Sequence, residues 1–65
     1  MLTEADIERA ARAVIDKNGS NAARAAERRI NRLSNEGQTE AVAIWQRVRR
    51  AICVMLADEG AGAAD

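Results

Sequence analysis

Apolar residues in the last third of the chain recur at the spacing of a buried helical face. Steps of four and three residues between positions 41 and 55 place them on one side of an α-helix. The residues of this stripe are Ala41, Trp45, Val48, Ile52 and Met55. With Ile44, Ala51 and Leu56 the apolar arc widens to about 140°, and Val54 lies outside it. We therefore predict a long third helix over 39–58, with more apolar surface than two short helices can cover.

Two shorter helical patterns come before it. Thr3 and Asp6 have the spacing of a capping box, which predicts a first helix over 4–17 that ends at Asn18 and Gly19. Ser20 is the expected N-cap of a second helix over 21–34, which ends before Gly37. Its inner face is narrow and mostly small, and consists of Ala22, Ala23, Ala26, Ile30 and Leu33. We expect Trp45 to fill the space above these alanines. The fold class is therefore all-α, a three-helix bundle.

The chain is long enough for one small domain, which we place at 1–58. Residues 59–65 have no periodicity and include two glycines, so we expect a flexible tail. Fifteen residues are alanine, which leaves few large side chains for the core. A core of this size usually needs support from self-association. The hypothesised protein interface on the third helix consists of Ile44, Val48, Ala51, Val54 and Met55.

Charge is balanced, with ten basic and ten acidic residues, so no overall field attracts the chain to nucleic acid or to an anionic membrane. Arginines nevertheless form local patches. Arg24, Arg28 and Arg32 share one side of the second helix, and Arg47 and Arg50 lie on the third. We expect these arginines to be solvated or paired with acidic residues. The alternative is that they contact phosphates. Residues 19–26 also resemble the middle of a helix-turn-helix, but the resemblance fails downstream, because the helical period continues through 27–33 without the required turn.

Catalytic residue types are scarce. The chain has no histidine, and its one cysteine, Cys53, has no imidazole to activate it. We expect Cys53 to be a small buried apolar residue. Trp45 is expected in the core rather than in a ligand pocket, because it belongs to the apolar stripe. We therefore predict no enzyme, no cofactor and no metal site.

Location follows from the same features. A single cysteine cannot form an intrachain disulfide, and no basic segment followed by an apolar run indicates export. The longest apolar run, at 51–57, is too short to cross a bilayer. We expect a cytoplasmic protein with no membrane contact.

Several short motifs together resemble a known group of proteins. They are DIERAA at 6–11, NGSNAA at 18–23, EG at 36–37, AIWQRV at 43–48 and AI at 51–52. This pattern is similar to a family of very short bacterial proteins of unknown function. The resemblance implies a helical fold and a bacterial cytoplasmic origin, and it assigns no catalytic or binding residue.

The function expected from these observations is that of a non-catalytic protein–protein interaction or regulatory module. Its partner is a second copy, in a homodimer, or another protein. The alternative function is nucleic-acid binding through the arginines of the second helix.

Overall fold

The computed structural model describes the backbone of residues 2–64 and the side chains of residues 2–58. Its elements are α1 (Glu4–Asn18), a 3₁₀ turn (Gly19–Asn21), α2 (Ala22–Asn35) and α3 (Thr39–Ala64). The described part of the chain is thus all-helical, as predicted. It measures 43 × 24 × 16 Å, and the long dimension reflects α3, since a helix rises about 1.5 Å per residue.

The junction between α1 and α2 differs from the prediction. No loop separates the two helices, because the chain passes directly through the 3₁₀ turn. Gly19 makes the bend with φ of +59°, while its N–H donates to the carbonyl oxygen of Ile15. Ser20, the predicted N-cap, lies inside the turn, and Asn21 makes no side-chain capping bond to α2. The molecule is therefore a bent helical arm, Glu4 to Asn35, folded against α3, rather than a bundle of three separate helices.

The start of α1 is confirmed in detail. The Asp6 N–H donates to Thr3 Oγ1 at 3.2 Å, and the Thr3 N–H donates to Asp6 Oδ2 at 3.0 Å. This is the reciprocal capping box that the spacing predicts. The backbone and side-chain hydrogen bonds from Thr3 hold the pKa of Asp6 below its ordinary value, because they favour the charged carboxylate.

The turn between α2 and α3 is built around Gly37. Its φ is +76°, a conformation that residues with a Cβ rarely adopt. The Gln38 N–H donates to the Leu33 carbonyl oxygen at 2.9 Å, and the Gly37 N–H donates to that of Ser34 at 3.1 Å. These two bonds form a Schellman motif. The motif ends α2 and turns the chain so that α3 packs back along the arm.

The core contains few large side chains. Its fully buried residues are Ile7, Ala11, Ala22, Ala26, Val48 and Ile52. Half of them are alanines, which lets the helices approach closely but contributes little apolar area. Ile30 and Leu33, predicted to face inward from α2, are only half-buried. The bent arm therefore covers only part of the apolar surface of α3.

The helical backbone of α3 continues to Ala64, beyond the predicted end at Asp58. The flexible tail predicted at 59–65 stays a prediction, because helical assignment does not measure motion, and Asp65 lies outside the described residues. Across residues 2–64, no helix combines the length and the apolar character needed to cross a bilayer.

Candidate interaction groove between α1 and α3

A groove of about 580 Å³ runs between α1 and the second half of α3. Its lining combines apolar and charged side chains. The α1 residues are Glu4, Ile7 and Glu8, and the α3 residues are Arg47, Arg50, Ala51, Val54 and Met55. We call this feature the α1–α3 groove.

The floor of the groove is apolar. Ile7 is buried, and Ala51 and Met55 are half-buried against the core. Val54 stands at the edge with 58% of its surface exposed, the highest exposure of the large apolar side chains in the described range. Val54 is exposed because it lies outside the apolar arc of α3, where neither α1 nor α2 covers it.

Opposite charges border the groove on its two sides. The α1 wall carries Glu4 and Glu8, and the α3 wall carries Arg47 and Arg50. Arg47 Nη2 lies 3.1 Å from Glu4 Oε2, and this ion pair joins the first residue of α1 to α3. Both side chains are more than half exposed, so the pair stabilises the fold by no more than about 1 kcal/mol.

The five residues of the hypothesised interface lie in three different environments. Ala51, Val54 and Met55 come together in the α1–α3 groove. Ile44 is 37% exposed but does not line the groove. It lies about one helical turn before Arg47, the residue of α3 that pairs with the start of α1. Val48 is 1% exposed, and its placement in the interface is wrong because its side chain lies in the core of its own chain.

The predicted arginine patches lie in two separate places. Arg28 and Arg32 line a shallow depression of about 220 Å³ on α2, together with Ala25 and Arg29. Arg47 and Arg50 line the α1–α3 groove instead. Arg24 is exposed on α2 but does not line that depression.

Among the side chains of residues 2–58, only some of the arginines form salt bridges. Arg49 pairs with Glu27, the sole acidic residue of α2, at 3.4 Å. Among the side chains of residues 2–58, the recorded ion pairs involve none of Arg24, Arg28 and Arg32. The α2 arginines are therefore a solvated basic face, which is one of the two arrangements expected from the sequence.

Trp45 packs against the core, as its place in the apolar stripe predicts, but its side chain is only partly buried. The Arg29 guanidinium carbon lies 4.9 Å from the centroid of the indole ring, within cation–π range. The sequence offered one signal for this contact, since Arg29 lies at the edge of the apolar face of α2. The Arg29 side chain therefore covers part of the indole ring, as a large apolar residue on α2 would otherwise do.

Cys53 is exposed, contrary to the expectation of a buried thiol. Its position explains the result. Cys53 lies on the border of the apolar arc of α3, on the side away from Ala51 and the groove.

Comparison with protein-family models, curated proteins and solved structures finds no significant match to this chain. The resemblance to short bacterial helical proteins stays a prediction.

Proposed function

We propose that this protein is a non-catalytic interaction module that self-associates through the α1–α3 groove. The observation that carries the proposal is the exposure of Val54, at 58%, beside an apolar floor formed by Ile7, Ala51 and Met55. The thin, alanine-rich core gives a second reason. A chain with so little buried area gains stability when a partner covers apolar surface.

The free energy of apolar burial favours a second copy of the chain as the partner. Complete burial of a valine side chain contributes about 1.5–3 kcal/mol relative to full exposure. In a symmetric dimer each copy buries its own Val54, so one surface residue contributes twice. Burial of the exposed part of Ile44 or Leu2 would add to this term if the interface extends beyond the groove.

The test is a charge placed at the edge of the groove. We expect Val54→Asp to shift the protein to the monomer at concentrations where the wild type self-associates, because a carboxylate would be buried at the interface. Gln46→Asp is the matched control, since Gln46 is exposed on the same helix and does not line the groove. Light scattering coupled to size-exclusion chromatography measures the mass, and circular dichroism checks that both variants remain helical.

Two results would count against the proposal. One is an equal loss of association in Val54→Asp and Gln46→Asp, which would show a general charge effect. The other is a Val54→Asp variant that keeps the mass of the wild type at every concentration.

A second candidate function is nucleic-acid binding by the solvated basic face of α2. It is supported by the exposure of Arg24, Arg28 and Arg32 and by the pairing of Glu27 with Arg49, which leaves the basic face without a neutralising carboxylate from α2. Replacement of the three arginines by glutamine should abolish a salt-sensitive gel shift and leave helicity unchanged. The absence of any shift with single or double strands at low salt would reject this candidate.

We also propose that the protein is bacterial and cytoplasmic. The exposed thiol of Cys53 suits a reducing compartment, where it would stay free.

A further inference from the structure

The charges of the α1–α3 groove are arranged so that the groove complements itself. Its α1 wall is acidic through Glu4 and Glu8, and its α3 wall is basic through Arg47 and Arg50. Glu4 and Arg47 already pair within the chain. Glu8 and Arg50 line the same groove, and neither takes part in the ion pairs recorded among the side chains of residues 2–58. One carboxylate and one guanidinium are therefore available to a partner.

We infer that the occupant of the groove is a second copy, placed so that Glu8 of each chain faces Arg50 of the other. This inference rests on the proposed self-association and specifies its geometry. The exposed Val54 edge of one copy enters the groove of the other, and the acidic wall of each copy lies along the basic wall of its partner.

Two-fold symmetry and the charges of the walls together select one orientation of the two copies. In a face-to-face dimer the two-fold axis lies in the plane of the interface. An axis across the groove would place acidic wall on acidic wall and basic wall on basic wall. An axis along the groove exchanges the two walls, so that every acidic residue meets a basic one. The α3 helices of the two copies therefore run in the same direction.

The charges set orientation and selectivity, whereas the apolar residues supply most of the affinity. Complementary charges at an interface suppress wrong arrangements, because like charges brought together are strongly unfavourable. Exposed charges are also screened by salt. The dimer should therefore weaken as the salt concentration rises, while its dependence on Val54 persists.

The decisive experiment exchanges the charges in two separate variants. Glu8→Arg places two arginines against each other at both 8–50 contacts of the dimer, and Arg50→Glu places two glutamates there, so each variant alone should dimerise at least about tenfold more weakly than the wild type. Mixed in equal amounts, the two variants should form a heterodimer, because Arg at position 8 of one chain then meets Glu at position 50 of the other, while Glu8 of the second chain meets Arg50 of the first. Analytical ultracentrifugation measures the masses, and mass spectrometry identifies the mixed species.

Arg24→Glu and Glu36→Arg are the matched controls, since they change charge at exposed positions that do not line the groove. Both should dimerise like the wild type, and circular dichroism should show unchanged helicity in all four variants. Wild-type association in both Glu8→Arg and Arg50→Glu, or a mixture no stronger than either variant alone, would overturn this arrangement.

The proposed function fails separately from the arrangement. If Val54→Asp abolishes association while the charge exchanges have no effect, the groove is the interface but the inferred orientation is wrong. If the wild type and the control variants are monomeric at every concentration, the proposed self-association is wrong as well.

Discussion

Arg29 and Trp45 form a cation–π contact between α2 and α3 that the helical periodicity of the sequence does not predict. The guanidinium lies 4.9 Å from the ring centroid, and Trp45 itself packs against the alanine-rich core. The indole is only half-buried by the helices themselves. Arg29 therefore acts as a cover over the aromatic ring, through its methylene groups as well as its charge.

Truncation of this cover should change both stability and fluorescence. We expect Arg29→Ala to lower the free energy of unfolding by about 0.5–1 kcal/mol, as is typical of an exposed cation–π contact, and to shift Trp45 emission to longer wavelength. Arg24→Ala is the control, because it removes an exposed arginine of α2 that does not line the depression containing Arg29. Equal effects of the two substitutions on both readouts would contradict the assigned role of Arg29.

For single residues, the sequence predicts burial or exposure correctly where the angular position on the helix alone decides it. Val54 is exposed and Ile52 is buried, as their angular positions on a helix imply. Val48 is buried as its place in the apolar stripe implies, so only its assignment to the interface is wrong, whereas Cys53 is exposed against expectation. Both outcomes depend on how far the neighbouring helices extend around α3. That extent is a tertiary property, and periodicity alone cannot measure it.

At the scale of elements, the two ends of the bent arm are well defined by sequence and its middle is not. Thr3 and Asp6 start α1, and Gly37 closes α2, each through backbone bonds that a few neighbouring residues determine. Residues 18–21 are compatible either with a loop and a new N-cap or with a 3₁₀ turn. Packing of both helices on α3 selects the turn, so the arm bends without a break.

The capping box predicts a specific pH dependence. Because the folded state holds the pKa of Asp6 below its ordinary value, this carboxylate contributes stability that is present above about pH 4 and is lost as the pH falls through the lowered pKa. Thr3→Ala should cost about 1 kcal/mol at neutral pH and should make the acid loss of stability shallower. Thermal unfolding monitored by circular dichroism between neutral and acidic pH measures both effects.

Asp16→Asn serves as the control, since Asp16 is an exposed carboxylate of the same helix that lies outside both the capping box and the groove. A Thr3→Ala variant whose stability falls with acid as steeply as that of the wild type would show that Thr3 does not perturb the titration of Asp6.

On the scale of the whole molecule, the main feature is the mismatch between α3 and the helices that cover it. The mismatch follows from the sequence: the apolar arc of α3 is wide, and the facing residues are largely alanines. The groove itself was not predictable, because it depends on where α1 starts beside Arg47 and on which side of α3 the arm passes. Only the structure brings Ile7 and Glu8 to the residues predicted for the interface.

Sedimentation equilibrium of the wild-type protein at low salt measures whether a second copy covers the apolar surface of α3. Over concentrations from about 1 μM to about 1 mM, the average mass should rise from the monomer value of 7.0 kDa toward twice that value. A mass that stays at 7.0 kDa throughout this range would show that the protein does not self-associate through this surface.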